Sequence, residues 1–215
     1  MTTEFPKIGR KKLLAVGMMV ASFMLAIAVI AVILIAPQSE SGRNDSWSYP
    51  DVTLEEYSAA CIPHPQVTTA DLIVLVDPED PHVKEIAAHM NSASDVLTWV
   101  SSHIVFGEDI DVYGSAEHWA GPVETLFNHQ ADCEDSAVLI ASILTAMGYV
   151  PELVIIAAEP KGHVAVILDG MYIDQFAVHG QPPVNGGLVS SIVGVTMRSD
   201  GTIVQRIIDK GEIFI

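Results

Sequence analysis

An uninterrupted run of 24 uncharged residues, Leu13 to Ala36, constrains this chain more than any other feature of its sequence. At about 1.5 Å per residue, a helix of this length crosses a hydrocarbon core of roughly 30 Å. The alternative is a cleavable secretory signal, whose apolar core is usually about 7–15 residues long and ends at a small-x-small site. This run is longer, and Leu34-Ile35-Ala36 lacks the small outer residue. We therefore predict an uncleaved transmembrane helix over residues 13–36.

The charges that flank this run predict its orientation. Four basic residues precede it: Lys7, Arg10, Lys11 and Lys12. The segment just after the run offers only Arg43. Because an excess of Lys and Arg favours the cytoplasmic side, residues 1–12 are predicted to be cytoplasmic and the C-terminal body extracellular. The sequence thus indicates a single-pass protein of the cell membrane.

The part of the chain after the run divides into a polar linker and a folded domain. Residues 37–64 are rich in serine and are broken by Pro37 and Pro50, which is typical of a stalk, and we place the domain at 65–215. From Pro37 onward there are 26 acidic and 6 basic residues, a formal charge of −20. Such an acidic surface repels phosphate backbones, so nucleic acid is not expected as a partner.

Helical patterns come first in the domain. Asp80-Pro81 opens one helix, the spacing of Val96, Trp99, Val100, His103 and Ile104 predicts a second, and Gly121-Pro122 opens a third. The next helix runs from Asp132 to Met147 and is closed by Gly148, with Asp132 and Asp135 placed as a capping box. It is apolar nearly all round, which predicts that it is buried in the middle of the domain.

Strand patterns follow these helices. Residues 153–157, 163–168 and 171–176 alternate with a period of two, and Asp169-Gly170 is a typical two-residue hairpin turn. A second hairpin is predicted from residues 192–197 and 202–207 around Asp200-Gly201. Helices followed by an antiparallel sheet define the α+β class.

Cys133 stands at the start of the buried helix, where the backbone N–H groups and the helix dipole favour a thiolate. A thiol nucleophile also needs a base and a group that orients the base. In the hairpin, Ala165 faces Asp174 and shares a sheet face with His163. His163 and Asp174 are then diagonal neighbours within hydrogen-bonding reach. The residues therefore predict a catalytic triad of Cys133, His163 and Asp174.

This order of residues resembles the transglutaminase-like superfamily of papain-like thiol enzymes. The stretch that carries the resemblance is Trp119…Pro122-Val-Glu-Thr-Leu126…Asp132-Cys-Glu-Asp135-Ser-Ala-Val-Leu, and it is similar to microbial and archaeal members. The similarity covers roughly residues 95–176. It implies a papain-like core with a buried cysteine helix packed on an antiparallel sheet.

The resemblance also implies roles for individual residues: Cys133 as nucleophile, His163 as general base and Asp174 as its orienting group. The sequence departs from the family at Ala131, where glycine is frequent, and at Gln175, where proline is frequent. An oxyanion needs hydrogen-bond donors. The backbone N–H of Cys133 is one, and the side chain of Gln130 or Trp119 is a second.

The carboxylates around the cysteine oppose its ionisation. Asp132, Glu134 and Asp135 surround Cys133, and nearby negative charge raises the pKa of a thiol. The same carboxylates stabilise a helix N-terminus. We expect these side chains to point away from the sulfur, so that the His163 imidazolium decides the charge of the thiol.

Other readings of single residues remain open. Cys133 could be an inert core thiol or form a disulfide with Cys61, and His179 could substitute for the base. Two further sets could bind metal, although a solvated helix face and loop capping explain them more simply: His82, Glu85 and His89, and Asp77, Glu79 and Asp80. There is no phosphate-cradling glycine loop and no CxxC pair, so we expect neither a cofactor nor a metal.

The expected activity is acyl transfer from an amide of a protein or peptide, at a glutamine side chain or a peptide bond. Water would complete the reaction in a peptidase or amidase, and an amine would do so in a transglutaminase. The alternative is a catalytically inactive surface module that keeps the fold for binding. An intact triad favours the enzyme, because a binding module does not need all three residues.

Overall fold

The part of the chain described by the computed structural model begins at Tyr49. It comprises residues 49–60, 72–159, 161–176, 188–198 and 200–210. The predicted transmembrane helix at 13–36, Cys61 and His179 lie outside the described residues. In the segments that are described, no helix is both long enough and apolar enough to cross a membrane.

The helices lie in the first part of the domain, as the sequence predicts. They are α1 (Leu54–Ala60), a 3-10 turn (Leu72–Leu75), α2 (Pro81–Ala88), α3 (Ala93–His103), α4 (Asp109–Val112), α5 (Pro122–Asn128) and α6 (Cys133–Ala146). The predicted start of α2 is confirmed: a carboxylate oxygen of Asp80 accepts the backbone N–H groups of His82 and Val83, at 2.9 and 3.0 Å.

Helix α6 forms the centre of the domain. Every residue from Glu134 to Leu144 is buried, and the helix packs on α2, α3, α5 and the sheet. This confirms the buried helix that the all-round apolar pattern predicts. Gly148 then ends the helical segment with φ of +89°, a left-handed conformation that glycine adopts without steric cost. The first residue of α6 is Cys133, so packing of the helix fixes the position of the thiol.

The second part of the domain is an antiparallel sheet, which confirms the α+β class. Its strands are β3 (Glu152–Glu159), β4 (His163–Leu168), β5 (Met171–Ile173), β6 (Leu188–Met197) and β7 (Ile203–Ile207), in the order β5-β4-β3-β6-β7. The sequence did not indicate two short parallel strands, β1 (Val105–Phe106) and β2 (Gln130–Ala131). Strand β2 ends two residues before Cys133.

The hairpin β4–β5 has the predicted register but is shorter than predicted. Leu168 pairs with Met171 and Val166 with Ile173, and the strand then ends, whereas the sequence placed its end at Phe176. Asp174 leaves the strand because its Oδ1 accepts the backbone N–H of Phe176 at 2.8 Å. This local hydrogen bond is an Asx turn, which competes with continued strand pairing.

Replacing Gly170 by Ala should destabilise the domain by about 1–2 kcal/mol. Gly170 has φ of +78°, a region in which a Cβ crowds the following carbonyl. The free energy of unfolding, measured by denaturant titration, gives the effect. Gly170→Asn is the control, since Asn tolerates this conformation better, and equal losses in the two variants would contradict the explanation.

Residues 49–60 correct the predicted boundary of the stalk. The Tyr49 hydroxyl donates to the backbone oxygen of Leu126 at 2.7 Å, and its ring stacks on Trp99 with centroids 5.5 Å apart. Tyr57 stacks on Phe127 at 4.3 Å. The end of the proposed 37–64 linker is therefore packed on α3 and α5, and the folded unit begins by Tyr49 and not near residue 65. The serine-rich and acidic composition of this segment predicted a linker, whereas the contact depends on its two tyrosines.

Candidate active site

The thiol of Cys133 lies at the N-terminus of α6, directly after a short pairing of two strands. The backbone N–H of Gly107 donates to the oxygen of Ala131 at 3.0 Å, and that of Val105 donates to His129, also at 3.0 Å. These bonds fix the segment that leads into the helix. The packed helix fixes the other side of Cys133, so the backbone of the nucleophile candidate is held from both directions.

Two groups contact the sulfur. The backbone N–H of Val164, next to His163 in β4, forms a hydrogen bond with it. The thiol itself lies 3.0 Å from Oε2 of Glu134. The expectation that the neighbouring carboxylates point away from the sulfur is therefore wrong for Glu134. Burial first, and then the charge and hydrogen bond of Glu134, raise the pKa of the Cys133 thiol well above its ordinary value.

His163 and Asp174 are in contact at the start of the same hairpin. Nε2 of His163 lies 2.5 Å from Oδ2 of Asp174, and both side chains are only 4% exposed. The pair can form although Asp174 lies outside the strand, since it follows β5 directly. Because Asp174 engages Nε2, the ring nitrogen left to exchange a proton with a thiol is Nδ1.

Val164 shows how close this pair is to the thiol. Its N–H bonds to the sulfur, and His163 is the preceding residue. Among the hydrogen bonds of the described residues, none joins the thiol to the His163 ring. The structure thus brings Cys133 to the beginning of β4, with the thiol turned to Glu134.

Tyr172 is a site residue that the sequence reasoning missed. Its hydroxyl donates to Oδ2 of Asp174 at 2.9 Å, and this is the oxygen that also contacts His163. With the Phe176 N–H on Oδ1, both carboxylate oxygens are held. Burial and the charge of Asp174 raise the pKa of Tyr172, so its hydroxyl remains a donor. The sequence feature that could have identified Tyr172 is its separation from Asp174 by two positions, which puts both side chains on one face of a strand.

The predicted oxyanion donors are directed elsewhere. The indole N–H of Trp119 donates to Oε1 of Glu117 at 2.8 Å. Gln130 is exposed and lies over Gly107, where an added Cβ would be 2.9 Å from its Oε1. None of the described contacts brings either side chain to the sulfur. The backbone N–H of Cys133 is left as the proposed donor.

Five carboxylates gather beside the thiol, and we call them the acidic cluster: Asp109, Glu117, Asp132, Glu134 and Asp135. The capping box predicted within this set is wrong. Asp132 precedes the helix but its side chain makes no capping bond, and Oδ1 of Asp135 instead accepts the N–H of Ala120 at 2.7 Å. Burial raises the pKa of Asp132, Glu134 and Asp135, and the charge of a neighbouring carboxylate raises the pKa of each of them further.

The other metal-type sets have local explanations. Oδ1 of Asp77 accepts the N–H groups of Glu79 and Asp80, as a loop cap does. The ring of His89 bonds to the backbone oxygen of Glu85. In the described residues, neither set brings three ligand atoms together.

Comparisons with known proteins find similarity over part of the chain. Residues 82–177, which include Cys133, His163 and Asp174, match the model of a transglutaminase-like domain. A crystal structure of a candidate cysteine protease from Cytophaga hutchinsonii is similar over 70% of this chain, with 17% sequence identity and a TM-score of 0.38. This chain covers 60% of that protein's length. The search of curated proteins gave no match.

Proposed function

Through residues 82–177 the chain belongs to the transglutaminase-like superfamily, and we propose that it is a thiol enzyme that transfers acyl groups from amides. Cys133 is the nucleophile, His163 the general base and Asp174 the group that orients the base. The observation that carries this proposal is the contact of His163 with Asp174 at the start of β4, beside the helix N-terminus that bears the thiol.

The reaction follows from these positions. Nδ1 of His163 takes the thiol proton, and the sulfur attacks the carbonyl carbon of the amide. The imidazolium then gives its proton to the leaving amine, and a thioester on Cys133 remains. Water attacks the thioester, His163 takes a proton from that water, and the acid and free thiol are released. Asp174 stabilises the imidazolium in both halves of the reaction.

We favour hydrolysis over transfer to an amine, and a protein or peptide as the substrate. Water is available at every exposed site, and no feature of the described residues marks a site for an amine. With a transmembrane helix over residues 13–36, the domain would act at the outer face of the cell membrane. Those residues lie outside the described part of the chain, so this location is part of the proposal.

The test is formation of an acyl-enzyme by the full-length protein in mild detergent. Cys61→Ser leaves Cys133 as the single thiol, and p-nitrophenyl acetate serves as the probe. We expect an acetyl group on the peptide that contains Cys133, by mass spectrometry, and continued release of nitrophenol. Cys133→Ser should abolish both. A protein whose Cys133 reacts with a thiol reagent but is never acylated would contradict the proposal.

Peptides that contain glutamine distinguish hydrolysis of the thioester from transfer of its acyl group to an amine. Release of ammonia from such a peptide without added amine indicates hydrolysis. Incorporation of an added primary amine, at the expense of the acid product, indicates transfer. The same two measurements on Cys133→Ser exclude reactions that do not pass through the thiol.

Removing the hydroxyl of Tyr172 should slow acylation of Cys133 by about fivefold to tenfold. The change Tyr172→Phe deletes one hydrogen bond to the Asp174 carboxylate, and such a bond contributes about 1 kcal/mol. The rate should fall while the KM for the ester hardly changes, because Tyr172 acts through Asp174. Tyr149→Phe is the matched control, since Tyr149 follows the opposite end of α6. Equal rates in both variants would contradict the role of Tyr172.

A binding module is the second candidate, and the contact of the thiol with Glu134 favours it. A thiol that is hydrogen-bonded to a carboxylate, and whose pKa burial raises, is a poor nucleophile at neutral pH. In that case the acylation experiment gives no adduct in any variant. Acylation of Cys133 therefore distinguishes the enzyme from the binding module.

A further inference from the structure

The ring of Tyr49 lies among three aromatic side chains from later parts of the chain. Its centroid is 4.1 Å from that of His129, 5.5 Å from that of Trp99 and 5.7 Å from that of His103. The hydroxyl donates to the backbone oxygen of Leu126 at 2.7 Å. Burial raises the pKa of Tyr49, so this hydroxyl keeps its proton and remains a donor. Tyr49 therefore joins α3 to the end of α5.

Helix α3 supplies a fixed wall for this ring. Trp99 and His103 are one turn apart and stack on each other, with centroids 4.5 Å apart. A ring nitrogen of His103 bonds to the backbone oxygen of Trp99 at 2.7 Å, which fixes the imidazole. Trp99 is itself buried. Tyr49 is thus held against α3, and its other contacts restrain the end of α5.

The contacts of Tyr49 with α5 fall on the turn that ends this helix. Leu126 lies in the last turn, where backbone oxygens lose their helical partners, and the Tyr49 hydroxyl donates to one of them. Directly after the helix, His129 adopts φ of +55° and ψ of +17°, a left-handed conformation that is costly for a residue with a Cβ. Such a conformation persists only where its surroundings hold it.

Three contacts hold His129 in this conformation. Its backbone N–H donates to the oxygen of Thr125 and its own oxygen accepts the N–H of Val105, both at 3.0 Å. The third is the packing of its ring on Tyr49. The turn directs the chain from α5 into β2, and Cys133 follows four positions after His129.

Strand β2 passes the position of this turn on to the thiol. The N–H of Gly107 donates to the oxygen of Ala131 at 3.0 Å. The fit around Gly107 is close: an added Cβ would lie 2.7 Å from Cγ2 of Val112 and 2.9 Å from Oε1 of Gln130. Movement of the turn would therefore disturb β1 and β2 together, directly before Cys133.

We propose that Tyr49 is a positioning residue for the thiol of Cys133. Its contacts with Leu126 and His129 hold the turn before β2, and β2 holds the start of α6. The consequence for acylation rests on the proposed function, whereas the consequence for the exposure of the thiol does not. Tyr49 stands between the predicted transmembrane helix at 13–36 and the helices of the domain. The segment that would attach the domain to the membrane thus also supports its nucleophile.

The test compares Tyr49→Ala with Tyr57→Ala in the full-length Cys61→Ser protein in mild detergent. Tyr57 is the matched control because it packs the same N-terminal segment on α5, with its ring 4.3 Å from that of Phe127. Phe127 precedes the turn. Circular dichroism and the unfolding midpoint show that each variant is folded at the temperature of the rate measurements.

Acylation by p-nitrophenyl acetate should be about tenfold slower in Tyr49→Ala, because a small displacement of a reacting group lowers the rate. The KM for the ester should change by less than about twofold, since the substitution acts on the thiol and not on binding of the ester. Tyr49→Phe keeps the ring and loses the bond to Leu126, so its rate should lie between those of the parent and Tyr49→Ala. Tyr57→Ala should stay within about twofold of the parent.

The pH profile of alkylation by iodoacetamide is a readout that needs no acyl transfer. Burial is the largest cause of the raised pKa of the Cys133 thiol. A loosened turn lets water reach the sulfur, so the profile of Tyr49→Ala should move to lower pH. The amides of Val105 and Gly107, which bond to residues 129 and 131, should also exchange with deuterium faster. A residue that only stabilises the fold would lower the unfolding midpoint and leave the alkylation profile in place.

A folded Tyr49→Ala protein with the alkylation profile of the parent would overturn the proposal, and so would an equal shift in Tyr57→Ala. An unchanged acylation rate in Tyr49→Ala, with a parent that is acylated, would overturn it as well. If the parent is never acylated, the proposed function fails, and the alkylation profile still decides the role of Tyr49.

Discussion

Replacing His163 by Ala is expected to slow acylation of Cys133 by about 10²- to 10⁴-fold, the largest effect of any change considered that keeps the thiol. The thiol would lose the group that takes its proton, and the imidazolium that stabilises the thiolate could no longer form. Burial and Glu134 oppose ionisation of this thiol, and the backbone N–H of Val164 favours it too weakly to reverse them. The rate is measured as acetylation of Cys133 by p-nitrophenyl acetate in the Cys61→Ser background.

The matched control is His89→Ala, which changes an exposed histidine directly after α2. It should leave the rate within about twofold of the parent. Circular dichroism and the unfolding midpoint then show whether the His163 variant is folded. A folded His163→Ala protein that is acylated at the parent rate would exclude the general-base role and leave the binding module.

Glu134→Gln is expected to lower the pKa of the Cys133 thiol, and alkylation at neutral pH should become about tenfold faster for each pKa unit. The carboxylate of Glu134 raises this pKa by its charge and by its hydrogen bond to the sulfur. Gln keeps the shape and removes the charge. Below the thiol pKa the thiolate fraction rises tenfold per pH unit, so lowering the pKa moves the whole rate profile to lower pH.

The measurement is the rate of reaction with iodoacetamide between pH 6 and pH 10. Burial remains in the variant, and it is the largest cause of the raised pKa. The thiol pKa read from the rate profile should therefore stay above that of a free thiol. Glu85→Gln, an exposed change on α2, is the control and should not move the profile. If Glu134→Gln leaves the profile unchanged or moves it to higher pH, Glu134 does not control the thiol.

The sequence predicted the elements of the fold well. The capping signal at Asp80-Pro81, the all-round apolar helix after Cys133 and the Asp169-Gly170 turn each specify local structure, because the residues that decide it are neighbours in the chain. The hairpin register followed from the same turn, and with it the approach of His163 to Asp174. Both predictions needed only the geometry of the turn and the two-residue period of the strands.

The surroundings of the candidate site depend on contacts that join distant segments. The bonds of Ala120 to Asp135 and of Tyr49 to Leu126 link residues with no shared period or motif. The capping box failed for this reason: Asp135 had a second donor available, from a loop 15 residues earlier, and it bonds to that donor.

The sequence by itself determined the α+β class, the buried helix that begins at Cys133 and the hairpin that pairs His163 with Asp174. Only the tertiary structure decided the direction of the thiol, the position of Tyr172 on Asp174 and the burial of Asp109, Glu134 and Asp135. The physical reason is the range of the forces involved. Backbone geometry and periodicity act between near neighbours, whereas desolvation and charge depend on every group that packing brings within a few ångströms.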